Sequence, residues 1–420
     1  MQFPNDLKNK KIIVYGLGVT GKSVLQFLRK RGQKKIFSWD DNFKVKRKII
    51  IKNLYESDFI VVSPGININK SPFKKHLFKN NEKIISDIDL FFLYNKNIFS
   101  IFVTGTNGKS TTCKILEHVI KSKKKGVNLV GNIGKPILGS EFSQKKIYII
   151  EISSYQLNYS KFIRPTFAVL LNISPDHLDW HSSYSNYIKA KFKIFSFQKS
   201  NDIAFLGDNK FVKKFKKNKF KSKINFVSKI NLNKIKKKIY NEYLFSPSYN
   251  ENLRFVYAIS KKLGISDTKF LSKINSFEGL PHRQEIIYKR RNLTIINDSK
   301  ATSFEASKAA LEKFSNIFWI VGGLPKKNDK IMLGKFKKKI IKAFLIGENI
   351  SYFKKFLNKK IEYEVSNYLP SAFKSSLKEA KSFSKKATIL LSPSAASYDQ
   401  FKNFVERGKK FKQIIKKYVY

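Results

Sequence analysis

The densest chemistry in the chain lies at Thr104-Gly-Thr-Asn-Gly-Lys-Ser-Thr111, where two glycines, a lysine and several hydroxyls fall within eight residues. Backbone N–H groups of such a loop cradle phosphates, Lys109 reaches the terminal ones, and Ser110 can reach a divalent cation. The first glycine of G-x-x-x-x-G-K-[ST] is missing, so a tight turn with a neighbouring lysine is the plainer alternative; the apolar run before it and the helical pattern after it favour the phosphate loop. Downstream, Glu151 ends the run Ile147–Ile150, and Asp176-His177-Leu-Asp179 follows Phe167–Leu171. Carboxylate, imidazole and a loop hydroxyl are plausible Mg²⁺ partners, although Asp176 and Asp179 would equally cap a helix. Upstream, Gly16-Leu-Gly18-Val19-Thr20-Gly21 precedes Asp40 by the spacing at which a carboxylate meets a ribose. A dinucleotide or the diphosphate of a UDP-sugar would satisfy that turn, and Ser63-Pro64-Gly65 forms another turn after an apolar run.

These groups need elements to hold them. Short β-rich runs alternate with helical patterns, which predicts an α/β fold with largely parallel sheets. Strands are expected at 11–15, 36–39, 59–63, 98–104, 146–152, 167–172, 293–297, 317–321, 343–346 and 387–391, with helices near 23–30 and 110–121. Residues 209–240, rich in Lys, Asn and Phe, read as a weakly patterned surface segment. No repeat of 20 to 50 residues suggests a solenoid. Length predicts about three domains, placed at 1–94, 95–279 and 280–420.

With 84 Lys+Arg against 30 Asp+Glu the chain carries +54, which invites a nucleic-acid reading. The basic runs, such as 123–125, 236–238 and 337–339, are scattered and sit beside apolar residues, as solvated helix faces do. At 42% hydrophobic, the chain is no disordered polycation. One cysteine, Cys113, excludes a disulfide framework, and neither a signal-peptide core nor a membrane-length apolar run is seen. The expectation is a cytoplasmic enzyme without specific nucleic-acid or membrane partners, its lysine excess the compositional drift of an AT-rich genome.

Taken in order, the motifs resemble the Mur ligase family of peptidoglycan synthesis, and within it the branch that adds D-glutamate. The resemblance rests on the turns already named, on Gly131-Asn132-Ile-Gly134, Glu151-Ile-Ser-Ser-Tyr-Gln-Leu157, Asp176-His177-Leu-Asp179 and Gly279-Leu-Pro-His-Arg283. It extends through Asn297-Asp298-Ser-Lys300-Ala-Thr302 and the stretch from Ser392 to Gly408, so it covers the whole chain. It implies a Rossmann-like first domain for the UDP-sugar, a P-loop-type central ATPase domain, and a Rossmann-like third domain for the amino acid. The implied activity is ATP-dependent addition of D-glutamate to UDP-N-acetylmuramoyl-L-alanine through an acyl phosphate, by a monomer whose third domain closes on the central one.

The family's roles carry over at matching positions. The resemblance implies ATP contacts at Gly105, Thr106, Asn107, Gly108, Lys109, Ser110, Thr111, Asn252, Arg283 and Asp298. It implies UDP-sugar contacts at Gly18, Val19, Thr20, Asp40, Ser63, Pro64, Gly65, Asn132 and His177. D-Glutamate would meet Thr302, Lys326, Ser397 and Phe404. Two Mg²⁺ ions would be held by Ser110, Glu151, His177 and Lys191, the last as a CO₂-derived carbamate, and Lys109, His177 and Lys191 form the implied catalytic set. Two departures stand out: Ser248-Tyr249 replaces a His-Asn pair before Asn252, and Asp41-Asn42 follows Asp40 where an arginine is usual, with Lys44 as a possible substitute. A sibling ligase, an NAD dehydrogenase and a basic nucleic-acid-binding protein are the alternatives.

Overall fold

A computed structural model describes residues 7, 9–43, 45–95, 97–121, 126–132, 135–139, 142–227, 232–241, 243–244, 249–326, 329 and 331–419. Lys44, Lys123–Lys125, Gly134 and Ser248 lie outside the described residues. The chain divides into two compact units, residues 1–241 with 249–277, and residues 242–248 with 278–420.

The first unit holds two parallel sheets. Strands β1 (Ile12–Tyr15), β2 (Ile36–Trp39), β3 (Phe59–Val62) and β4 (Ile84–Ile85) make a four-stranded sheet in the order β2-β1-β3-β4. The six-stranded sheet comprises β5 (Ser100–Thr104), β6 (Val127–Gly131), β7 (Ile147–Glu151), β8 (Phe167–Leu170), β9 (Ile203–Leu206) and β10 (Lys223–Phe226). Its order is β10-β9-β8-β5-β7-β6. Every residue of β5, β7 and β8 is buried, which is why these strands read as continuous apolar runs: a parallel sheet is covered on both faces.

Both orders reverse direction at a strand that carries a glycine turn. In the first sheet the chain moves from β1 to one side and then returns to β3 on the other; in the second, β5 has β7 and β6 on one side and β8, β9 and β10 on the other. Helices leave opposite faces at such a switch point, so a crevice opens beyond the strand ends. That crevice faces Gly16–Gly21 and Ser63–Gly65 in one sheet, and Gly105–Thr111 in the other.

The second unit holds β11 (Glu285–Arg290), β12 (Leu293–Asn297), β13 (Ile317–Gly322), β14 (Ile340–Ile346), β15 (Glu362–Asn367) and β16 (Ala387–Leu391), ordered β11-β12-β16-β13-β14-β15. Only β11 runs antiparallel, because the two residues Arg291 and Asn292 leave no room for a crossover.

Residues 209–240 depart from expectation. They carry the helix Asn209–Lys217, the edge strand β10 and the helix Asn233–Lys236. Phe211 and Phe215 are the buried stripe of the first helix, and its abundant lysines masked an i, i+4 pattern of only two rings. Lysine at the start of β10 suits an exposed sheet edge.

Candidate functional site

The loop after β5 is built by its neighbours as much as by its own residues. Gly108 adopts φ +82°, and a side chain there would run into Asn252 Nδ2 at 2.5 Å. Asn252, on the helix Asn250–Lys262, donates to Gly108 O (3.1 Å) and Thr112 Oγ1 (2.9 Å), buttressing the loop from behind. From the β8 side, Asn172 O accepts from Thr106 N at 2.9 Å, and Asn172 Oδ1 accepts from Asn107 N at 2.9 Å. Glu251 in turn accepts from Asn172 Nδ2 at 2.7 Å. The helix Lys109–Ile120 then starts directly at the loop, so the positive end of its dipole lies beside Gly108 and Lys109.

Two lysines meet on one carbonyl. Lys109 Nζ donates to Gly105 O (2.8 Å) and Thr106 O (2.9 Å), and Lys191 Nζ donates to the same Gly105 O at 2.8 Å. Lys191 is 1% exposed and lies over the Tyr187 ring at 4.7 Å, so it is no ordinary lysine of a basic helix. Burial, reinforced by the charge of Lys109, holds its amine well below the usual lysine range.

The neighbouring strand ends supply the remaining groups. Glu151 closes β7 at 2% exposure; Oε1 accepts from Asn132 Nδ2 at 3.0 Å, while Oε2 is buried with no partner among the described residues. His177 stands exposed at φ +53°, its ring 4.9 Å from that of Tyr155 and Nε2 3.4 Å from Asp176. At the start of the short helix Leu178–His181, Asp176 Oδ1 accepts from His177 N at 3.0 Å and Asp179 lies in the first turn, while the N-cap His177 makes no side-chain cap bond. Buried His181 pairs with Ser154 Oγ at 3.0 Å, and desolvation, followed by His177 and Lys191, pushes its pKa down to about 4. Among the described residues no three His, Cys, Asp or Glu side chains converge as a metal cluster.

In the first sheet, the three glycines have different duties. A Cβ on Gly21 would strike Gly16 O at 1.9 Å, so close helix–strand packing requires glycine there, whereas space around Gly18 is open. Val19, at 76% exposure, and Thr20 begin the helix Val19–Lys30 beside it. Asp40 Oδ2 accepts from Leu17 N at 2.7 Å, and Oδ1 from Asn42, so this carboxylate also pins the turn. Those hydrogen bonds hold it below the usual carboxylate range. Ser63 Oγ donates to Gly16 O at 2.7 Å, joining the Ser63-Pro64-Gly65 turn to the glycine turn.

The second unit gathers its residues beyond β12, β13 and β16. Asp298 is buried, accepting from Ser392 Oγ (2.7 Å) and Gln284 N (3.1 Å); desolvation raises its pKa to about 7. Reciprocal backbone bonds of 2.9 Å between Leu324 and Ala396 bring the segment of exposed Lys326 to that of buried Ser397. Half-buried Thr302 follows Ala301, and Phe404 starts the helix Phe404–Val419 with Lys300 Nζ 5.7 Å from its ring. Arg283 is half-buried in the segment before β11.

Residues 103–275 match the Mur ligase middle domain family. The chain is 36% identical to the UDP-N-acetylmuramoylalanine–D-glutamate ligase of Rickettsia felis, over 99% of its own length and 98% of that protein. The chain belongs to the Mur ligase family. The same-named protein of Wolbachia pipientis wMel is 33% identical over 97% of this chain and 96% of its own. Two solved family structures share the fold. One is the MurF ligase of Thermotoga maritima in complex with ADP, with TM-score 0.60 and 16% identity over 98% of this chain and 96% of that one. The other is MurC of the same organism, with TM-score 0.56 and 15% identity over 97% and 100%.

Sequence reading singles out the loop, Glu151 and His177, and the resemblance adds Lys191, but neither points to the residues that hold these groups in place. Asn172, Glu251, Tyr187, His181 and Ser154 were assigned no role. Their partners lie tens of residues away, so no local spacing reveals them.

Proposed function

We propose that the chain is an ATP-dependent ligase that joins D-glutamate to UDP-N-acetylmuramoyl-L-alanine, a cytoplasmic step of peptidoglycan precursor synthesis. The observation that carries this reading is the near-full-length likeness to ligases named for that reaction. The chemistry must phosphorylate a carboxylate and then let an amine displace the phosphate. Both early reactants are anions, so the loop N–H groups and Lys109 offset their repulsion and stabilise the charge that develops on the transferred phosphoryl group. Asn252 contributes by holding the loop in shape, and Gly105, Thr106, Asn107, Gly108, Ser110 and Thr111 line the phosphate path.

Magnesium, when bound, neutralises phosphate charge; Ser110, Glu151, His177 and carbamylated Lys191 are the residues that would hold it. The unpaired, buried Oε2 of Glu151 fits a hard cation, which satisfies an otherwise costly orphan oxygen. The depressed basicity of Lys191 fits carbamylation. A neutral amine attacks CO₂, forming an N–C bond and releasing a proton, and the product is an anion beside the cation Lys109. Gly18, Val19, Thr20, Asp40, Ser63, Pro64, Gly65, Asn132 and His177 would receive the UDP-sugar, whose remote binding energy positions the reacting carboxylate. Within the second unit, Thr302, Lys326, Ser397 and Phe404 would take the amino acid, with Arg283 and Asp298 as nucleotide contacts. We assign residues 1–94, 95–279 and 280–420 to these three tasks and take the monomer as the working state.

Phosphate release with UDP-N-acetylmuramoyl-L-alanine, ATP and Mg²⁺ against a panel of amino acids tests the reading. D-Glutamate should be the substrate that turns over; turnover with another amino acid and none with D-glutamate refutes it.

A further inference from the structure

The turn at Ser63–Gly65 is tied to the central sheet by a residue no motif singles out. Ile66 N closes that turn on Ser63 O at 3.0 Å. Immediately beyond it, Tyr159 OH donates to Ile66 O at 2.7 Å and accepts from Ile68 N at 3.2 Å. Tyr159 is buried at the end of the helix Ser154–Tyr159, the helix that follows Glu151. Its ring stands edge-on to Trp180 at 5.8 Å, and Trp180 O accepts from Asn67 Nδ2 at 3.2 Å. Trp180 belongs to the helix that begins directly after His177.

Residues 66–68 are thus gripped from two sides, by the helix after Glu151 and the helix after His177. Through Ser63 Oγ on Gly16 O, the grip extends to the glycine turn of the first sheet. Binding energy from a remote handle aids a reaction only if the handle's distance to the reacting atoms is held nearly constant, since small misplacements cost large factors in rate. A buried phenol making two backbone hydrogen bonds is well suited to that task, and burial raises its pKa to about 12, keeping its proton in place for donation.

We propose that Tyr159, supported by Asn67, is a positioning residue that registers the UDP-sugar loop of the first sheet against Glu151 and His177. This rests on the functional reading above. The test is steady-state kinetics of the full chain with each of the three substrates varied in turn, alongside thermal unfolding. In Tyr159→Phe the ring still fills its place, but Ile66 O and Ile68 N lose their partner. KM for UDP-N-acetylmuramoyl-L-alanine should rise about tenfold, with KM for ATP and for D-glutamate within about twofold of wild type. Asn67→Ala should raise the same KM less, and the double variant should rise by less than the product of the two because both act on one loop. Asn67→Ala carries the test alone if Tyr159→Phe does not fold. An unchanged KM for the UDP-sugar overturns the proposal. So does a parallel loss in all three constants with a lowered unfolding temperature, which marks a purely structural role. Wild-type protein that does not turn over the UDP-sugar refutes the functional reading itself, and the proposal with it.

Discussion

Lys109 and Lys191 both donate to Gly105 O, so two basic nitrogens share one carbonyl at the centre of the phosphate loop. Like charges so close are unfavourable, and burial together with the charge of Lys109 holds the Lys191 amine well below the usual lysine range. Carbamylation would turn repulsion into attraction. Lys191→Ala should therefore lose at least about a hundredfold in kcat and recover part of it with millimolar acetate or another short carboxylate, as a supplied oxygen ligand would allow. Full activity of Lys191→Ala without any added carboxylate would contradict the assignment. Phosphate-release rates read out either result.

Loops at strand ends, each pinned to the next, hold such residues in place. In the second unit Asp298 ties the loop after β12 to that after β16 through Ser392 Oγ. Its pKa rises to about 7 from an ordinary value of 3.8, so between those limits the folded chain holds a proton that the unfolded chain releases. The folded state binds more protons there, and this group's contribution to stability falls as pH rises from about 4 to about 7. Asp298→Asn keeps a neutral group at every pH and removes that slope. Denaturant unfolding of both proteins at pH 5 and pH 8 should show the wild type losing ground to the variant at the higher pH; a gap that stays constant or reverses would show that Asp298 is ionised throughout. Nearby, Arg407 is buried and donates to Ser299 O (2.9 Å), Ser299 Oγ (3.0 Å) and Ala395 O (3.1 Å), with the charges of Asp399 and Asp298 also favouring its cation.

For the whole molecule, the excess of +54 outweighs any single contact. Ion pairs among the described residues are mostly at the surface, such as Lys335–Glu312 and Lys308–Glu305, and pairs of that kind contribute little. Most lysines therefore repel one another through solvent, and screening should help folding. Raising NaCl from about 50 to about 300 mM shortens the Debye length to less than half and should raise the unfolding temperature by several degrees. A flat or falling temperature would show that local pairing already neutralises the surface. No described helix is long and apolar enough to cross a membrane.

Local chemistry was legible from residue order alone. Glycine turns, the Lys109 loop, Glu151 and His177 each sit where an apolar run ends, and that adjacency is written in consecutive residues. Apolar runs betrayed the fully buried strands because parallel sheets cover both faces; they hid the edge strand β10 and the helix at 209–217, where lysine dilutes the pattern. What folding decided is which distant groups meet. Asn252 behind Gly108, Asn172 against the phosphate loop, Lys191 on Gly105 O and Tyr159 on Ile66 are contacts across many residues. The order of strands in the sheets creates them, and composition or spacing cannot specify it. Hydrogen bonds and desolvation act through space, so the depressed basicity of Lys191 and the hold of Tyr159 on Ile66 belong to the tertiary structure.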